Sequence, residues 1–167
     1  GFSTVDVGEM REATWLLTDA LMFVGGGSAS TAGGIKVTTF AVMLLAIRAE
    51  ARGDREVEVF GRRIPPETLR LAVAVAFVGA TAVGAATLLL LEITGLPLDV
   101  VLFEAISAFG TVGLSTGITP DLPDSGKYVL AALMFVGRTG TMTLAAALAL
   151  RDRRRVIRFP EERPIIG

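Results

Sequence analysis

The run from Leu71 to Leu91 contains no charged residue. A helix needs about 20 apolar residues to cross roughly 30 Å of hydrocarbon, so this run alone predicts a membrane span. Tyr128–Leu150 meets the same requirement with a single charge, Arg138. Thr14–Ile47 is long enough but is interrupted by the small-residue run Gly25–Gly34. A fourth apolar stretch, Leu98–Phe109, is too short to span, and a segment of that length is re-entrant or a buried helix. Composition agrees. The chain is 51% hydrophobic with a mean hydropathy of +0.60, above the 45–50% usual for soluble domains.

The net charge of −1 says little, because the basic residues are clustered. Arg48, Arg52, Arg55, Arg62, Arg63 and Arg70 form one group, and Arg151, Arg153, Arg154, Arg155, Arg158 and Arg163 form another. The positive-inside rule places both in the cytoplasm, so residues 48–70 and 151–167 are expected there. The first helix then runs inward, Leu71–Leu91 outward and Tyr128–Leu150 inward again. Leu98–Pro120 must begin and end outside, which is a pore-helix arrangement. Trp15 and Tyr128 fall near the outer ends of their helices, where interfacial aromatics are favoured. Within the first basic group, the alternation Glu56–Ile64 around Gly61 is compatible with a small β-hairpin or with a solvated linker.

The chain has no cysteine and no histidine. That removes any disulfide, any Cys/His metal site and the commonest general base. An enzyme is not expected, nor is a bound cofactor or a nucleic-acid partner. With no initiator Met and no basic leader at Gly1, the sequence reads as the later part of a longer protein.

An internal repeat appears at an offset of 112 residues. Gly1-Phe2-Ser3-Thr4 matches Gly113-Leu114-Ser115-Thr116, and Ala20–Gly25 is identical to Ala132–Gly137. The chain is therefore expected to hold the end of one unit and the whole of the next, each being helix, re-entrant helix, Gly-Ser-Thr loop and helix. Membrane proteins often place an ion pathway between such repeats.

The loop Ala108–Gly117 follows a short apolar helix at membrane depth. Irregular backbone is tolerated there only if it is buried in protein or lines a watery cavity. Its carbonyls can replace the hydration shell of a cation, as rings of carbonyls do in potassium channels, and glycine permits the positive φ that turns them toward an axis. Thr111, Val112, Gly113, Leu114 and Ser115, with Gly1, Phe2 and Ser3 in the other copy, are the candidate filter residues. The bland alternative is an ordinary turn between helices. Gly113–Gly117 also fits a Gly-x-Ser-x-Gly nucleophile elbow, but no histidine or preceding strand accompanies it. The run Gly25–Lys36 fits neither the phosphate-loop nor the dinucleotide fingerprint, since Lys36 follows Ile35 and Ser30 stands where a third glycine belongs. Glu104 lies inside the short helix. It supports the filter backbone by accepting amide hydrogen bonds, attracts cations to an outer vestibule, or is simply an interfacial acid. Gly79, Gly84 and the alanines of 72–86 read as close helix packing.

Arg138 is about 12 residues from either end of its span, roughly 18 Å from each interface. A central arginine costs about 2.5–3.5 kcal/mol on insertion scales and usually faces a bundle interior or watery cavity. It aligns with Gly26 in the repeat. The broken run beside it frees carbonyls that need partners, and arginine offers five donors. Gly25, Gly26, Gly27, Ser28, Ser30, Thr31, Gly33, Gly34 and Arg138 are the expected gate. Lys36 either adds to this barrier or points to the cytoplasm, and Arg138 itself either gates or merely staples two helices.

The residues Ser107–Ser115, the Gly-Ser-Thr run before Gly33-Gly34-Ile35-Lys36, and Phe135-Val136-Gly137-Arg138 resemble the TrkH/KtrB superfamily of potassium transporters over nearly the whole chain. The resemblance implies an all-α integral membrane fold of four helix–pore-helix–helix units around one pore. Gly1 and Gly113 become the filter glycines of the third and fourth units. It assigns 1–50 to the end of the third unit, 51–68 to a cytoplasmic linker or hairpin, 69–150 to the fourth unit and 151–167 to a cytoplasmic tail. It further implies K+ as the transported ion held at the filter carbonyls, a multi-pass location in the cell (inner) membrane, a homodimer, and a cytosolic nucleotide-binding regulatory subunit of TrkA/KtrA type. Sodium or another monovalent cation is the alternative cargo.

Overall fold

A computed structural model describes residues 1–27, 30–54 and 56–140. The second basic group and the end of the last apolar stretch lie outside the described residues, as do Ser28 and Arg55. The described chain is mostly helical. In order it comprises α1 (Glu12–Val24), α2 (Val37–Arg52), a hairpin of β1 (Glu58–Val59) and β2 (Arg62–Arg63), α3 (Pro66–Thr94), α4 (Leu98–Gly110) and α5 (Asp124–Phe135). Of the two expectations for Glu56–Ile64, a hairpin or a linker, the hairpin is the one found, a small exception to the otherwise helical chain. Its strands are antiparallel, with Glu58 opposite Arg63 and Val59 opposite Arg62.

The break in the first apolar stretch falls where the glycines stand. α1 ends at Gly25, whose φ of 72° no helix can continue, and α2 begins only after Lys36. α3 starts behind Pro65-Pro66 and stops at Gly95, a left-handed cap. Proline is compatible with a first helical turn, and glycine caps a helix end at low cost. Among the described residues α3 is the one helix long and apolar enough to cross a membrane.

α4 forms the centre of the chain and packs against α1, α3 and α5. Phe103 and Ala105 are fully buried, and Val101, Ala108 and Phe109 nearly so. In a bilayer the surrounding lipid is as apolar as leucine, so close packing rather than escape from water must hold helices together. α3 accordingly turns a stripe of Ala72, Val75, Gly79, Val83, Ala86 and Leu90 inward, at the three- and four-residue spacing of one helix face. A Cβ on Gly79 would stand 2.9 Å from the Phe109 ring. Trp15 on α1 meets Phe103 with ring centroids 6.0 Å apart, and Phe23 stacks on Phe109 at 5.8 Å.

The outward surface is apolar as well. Leu16, Leu17 and Leu21 on α1, Leu44 and Ile47 on α2, and Phe77, Leu88 and Leu89 on α3 are all exposed. So large an apolar surface marks contact with lipid or with further protein.

Candidate functional site

The site begins where α4 ends. Thr111 adopts the left-handed conformation (φ 51°, ψ 38°) and closes the helix, with its N–H donating to the Ala108 carbonyl and that of Val112 to Ser107. A left-handed threonine is unusual, because a β-branched side chain is penalised there. The backbone then runs without regular structure through Gly113, whose φ is +90°. Among the described residues the carbonyls of Thr111, Val112, Gly113 and Ser115 accept no backbone or side-chain hydrogen bond. Unpaired carbonyls in series are the chemistry a dehydrated cation requires.

Side chains of α4 hold this stretch from behind. The Ser107 hydroxyl donates to the Leu114 carbonyl at 2.6 Å. Glu104, only 5% exposed, accepts at Oε1 from the Ser115 hydroxyl, the Thr116 amide at 2.9 Å and the Thr116 hydroxyl at 3.2 Å. Its Oε2 accepts from the Thr119 hydroxyl at 3.1 Å. One carboxylate three residues N-terminal to Ser107 on the same helix therefore ties down the loop after Gly113. Hydrogen bonds to a charged acceptor are the stronger kind, and a buried carboxylate needs several of them.

The two copies of the Gly-Ser-Thr sequence converge. A Cβ on Gly1 would fall 2.5 Å from the Val112 carbonyl oxygen, and one on Gly113 would lie 3.7 Å from Gly1 Cα. Phe2 is exposed. Ser3 turns back on its own segment, its hydroxyl donating to the Val5 carbonyl at 2.6 Å. The segment is tethered to α1 by the Trp15 indole N–H, which donates to the Val7 carbonyl at 2.7 Å.

The broken run between α1 and α2 returns to this same place. The Gly33 amide donates to the Gly110 carbonyl at 3.1 Å and to the Thr111 hydroxyl at 2.9 Å. The Ile35 amide donates to Phe23, and that of Val37 to Gly26, so the run folds back as a compact loop. Lys36 has a φ of 76° and is 8% exposed. Its ammonium donates to the Ala32 carbonyl and reaches the Ser30 carbonyl at 3.4 Å. It points into the loop. Gly27 and Thr31 lie on the loop's outer part, where Gly27 accepts from Ser30.

Arg138 occupies a π-helical turn, Val136–Gly140, that continues α5. π-turns inside helices are frequent at functional positions. It borders a cavity of about 470 Å³ together with Glu104, Ser107, Thr111 and Gly113. The sequence expectation had Arg138 hold the Gly25–Gly34 loop. Among the described residues it is exposed and no hydrogen bond or ion pair joins it to that loop, whose partners are Lys36 and the end of α4. The adjacent Gly137 is where α5 touches α4, since a Cβ there would collide with the Phe109 carbonyl.

Thr111, a candidate filter residue in sequence, enters the site through its hydroxyl as well, and Lys36, a candidate gate residue, directs its ammonium into the loop. One residue that the sequence does not single out is also buried here. Asp19 on α1 is 6% exposed, and its Oδ1 has no hydrogen-bond partner among the described residues. It was overlooked because a lone aspartate carries no motif.

A short buried helix that ends in open carbonyls is thus set among helices with apolar outward surfaces. The chain belongs to the TrkH family, described as cation transport proteins, whose family pattern matches residues 1–154. It is 40% identical over its whole length to Ktr system potassium uptake protein D of Bacillus subtilis. It is 38% identical to Ktr system potassium uptake protein B of Vibrio alginolyticus and 37% identical to potassium/sodium uptake protein NtpJ of Enterococcus hirae, again over all of this chain. It spans 37%, 36% and 38% of those three proteins respectively.

Proposed function

We propose that this chain supplies two of four filter segments, and one of the gating elements, of a potassium-conducting pore in the cell membrane. The observation that carries the reading is the convergence of Gly1 and Gly113. These residues are 112 positions apart, sit in matching sequence, and approach until a side chain on Gly1 would meet the Val112 carbonyl. Two structural helices gain nothing by bringing glycine-bearing, carbonyl-exposing loops together at membrane depth. A pore does, because the loops jointly offer oxygens to an ion that has lost its water.

In this reading Thr111–Ser115 and Gly1–Ser3 line the ion path, and K+ is cargo held by their carbonyls. The C-terminal end of α4 adds to the attraction, since a helix presents partial negative charge there. Glu104 acts behind the filter as a positioning residue. Residues 1–50 close the third repeat of the pore, 69–150 form the fourth, and the hairpin and the basic tail face the cytoplasm. The pore subunit works as a homodimer under a cytosolic nucleotide-binding subunit; the word "system" in the names of the Ktr relatives fits a transporter of several parts. The loop after α1 is the gate, closing on the lower end of the filter through Gly33.

The competing cargo is sodium, favoured by one relative whose name pairs it with potassium. The full-length transporter in proteoliposomes, assayed with K+, Rb+ and Na+ gradients, separates the two. Uptake of K+ and Rb+ well above Na+ is expected. Equal or greater Na+ flux assigns the pore to sodium, and no flux of any cation removes the reading.

A further inference from the structure

A cavity beside the hairpin is lined by charges of both signs, most of them without an ion-pair partner among the described residues. It measures about 680 Å³ and is lined by Arg48 and Arg52 of α2 and by Asp54, Glu56 and Glu58, with Leu45 and Phe60 also on its wall. That volume is within the roughly 300–1,000 Å³ of small-molecule sites. Arg48 and Arg52 are four residues apart, so both guanidiniums project from one helix face. Among the described residues, the ion pair formed here is Glu56 with Arg63 on the neighbouring strand, at 2.8 Å. Among the described residues, Arg48, Arg52, Asp54 and Glu58 line one cavity with no ion pair between them.

The tip of the hairpin adds a second observation. Phe60 and Gly61 both have positive φ, 50° and 71°, which is the tight turn normally given to Asn-Gly. A bulky aromatic in that conformation is strained, and Phe60 is fully exposed. It lines the same cavity as Leu45. Leu45 belongs to the uncharged part of α2 and precedes Arg48 by three residues, about 4.5 Å of rise. The cavity therefore straddles the boundary between apolar and charged α2, which the membrane orientation proposed above makes the inner-leaflet headgroup layer.

We propose that this cavity binds a zwitterionic phospholipid headgroup of the phosphoethanolamine type. The phosphate lies against Arg48 and Arg52, whose forked donors match phosphate geometry. The primary ammonium lies against Asp54 and Glu58, and Leu45 and Phe60 face the start of the acyl chains. A purely anionic headgroup satisfies the arginines but leaves the carboxylates unpaired, and a choline headgroup offers them no N–H donor. The inference rests on the membrane placement of the chain and not on its conducting potassium.

The test is lipid binding to the full-length, delipidated transporter by native mass spectrometry, with phosphatidylethanolamine, phosphatidylglycerol and phosphatidylcholine of equal chain length. We expect phosphatidylethanolamine to bind at least tenfold tighter than the other two. Arg48→Gln with Arg52→Gln should abolish that preference. Asp54→Asn with Glu58→Gln should reverse it toward phosphatidylglycerol. Thermal stability of each variant in detergent without lipid confirms folding, and Phe60→Ser, a surface change at the tip, serves as a second probe and should weaken all three lipids together. Equal binding of the three lipids to the unaltered protein overturns the proposal, as does a preference that survives both double substitutions. Potassium flux is measured separately, so loss of lipid preference with intact flux leaves the transport reading standing.

Discussion

The amide of Gly33 donates to the hydroxyl of Thr111 at 2.9 Å while also lying 3.1 Å from the Gly110 carbonyl. Residues 78 positions apart in sequence are thereby joined at one point: the break between α1 and α2 on one side, and the first residue of the carbonyl-bearing stretch on the other. Thr111 is held in the left-handed region with a β-branched side chain, a choice explained by the hydroxyl's use as an acceptor. If the loop is the gate proposed above, it can move only by releasing Thr111 and Gly110.

Thr111→Val keeps the shape and removes the acceptor. Gly33 retains its bond to Gly110, so the loss should be that of one ordinary hydrogen bond, about 1 kcal/mol. That corresponds to a factor of about 5 in the closed-to-open ratio of the loop. We expect Rb+ uptake through the unstimulated full-length protein to rise severalfold and any stimulation by the proposed cytosolic subunit to shrink by a similar factor. An unchanged stimulation ratio would show that this bond is not part of the gate.

Glu104 makes four hydrogen bonds to the stretch after Gly113. Glu104→Ala leaves the Thr116 amide and the Ser115 and Thr119 hydroxyls without their acceptor, and bonds to a charged group are worth about 1.5–3 kcal/mol each. Even with water entering, the transporter should lose several degrees of thermal stability and most of its K+ over Na+ preference. Glu104→Gln keeps an acceptor oxygen for Thr116 and Ser115 and should fall between. If both variants retain the ion preference while stability falls, Glu104 supports the fold and not the filter.

Much of this arrangement is visible in sequence. The uncharged run 71–91 announces α3, the glycines of 25–34 announce the break before α2, and the offset of 112 pairs Gly1 with Gly113 before any coordinates exist. Periodicity and breakers are local, so local elements follow from them. What was not legible is which side chain meets which backbone group across the fold. Nothing in the sequence tells whether Arg138 or Lys36 holds the loop, because both are cations near its ends and the choice depends on the backbone direction at Lys36. The Gly33–Thr111 bond and the isolation of Asp19 are likewise products of tertiary packing. The identical segments Ala20–Gly25 and Ala132–Gly137 show the same limit: one ends in a loop at Gly25 and the other passes into a π-turn at Val136.

Three glycines should behave differently on substitution. Gly113 has a φ of +90° with open space around it except for Gly1, so Gly113→Ser should fold yet strain the carbonyl stretch and lower K+ over Na+ selectivity. Gly137→Ala places a methyl into the Phe109 carbonyl, an overpacking of the kind that costs about 1–3 kcal/mol or more, and should reduce the yield of folded protein. Gly84→Ala meets nothing within 4 Å and should be neutral or slightly stabilising, since alanine is favoured over glycine in helices by about 1 kcal/mol. Size-exclusion profiles and permeability ratios of the three variants test this ordering. Equal loss of folding in all three would mean that the packing of α4 against α5 is not the tight contact described.

Lys36 and Arg138, the two cations of the proposed gate, are placed differently. Lys36 directs its ammonium to the carbonyls of Ala32 and Ser30 inside the loop, so in the proposed gate it would stabilise the closed loop from within. Arg138 instead borders a cavity shared with Gly113, where in the proposed pore a fixed positive charge would oppose an entering cation without touching the loop. The two roles leave different traces. Lys36→Gln keeps a donor but removes the charge that makes those bonds strong. It should loosen the loop, raising basal Rb+ uptake and increasing protease or hydrogen-exchange access across residues 25–37. Arg138→Ala should raise the flux through already open pores and weaken the dependence of flux on external K+, with exchange in 25–37 unchanged. A mechanism in which Arg138 holds the loop directly predicts that Arg138→Ala raises exchange there as much as Lys36→Gln does. Arg138→Ala with wild-type flux at every K+ concentration would remove it from the ion path altogether, leaving Lys36 and the Gly33–Thr111 contact as the whole of the gate within this chain.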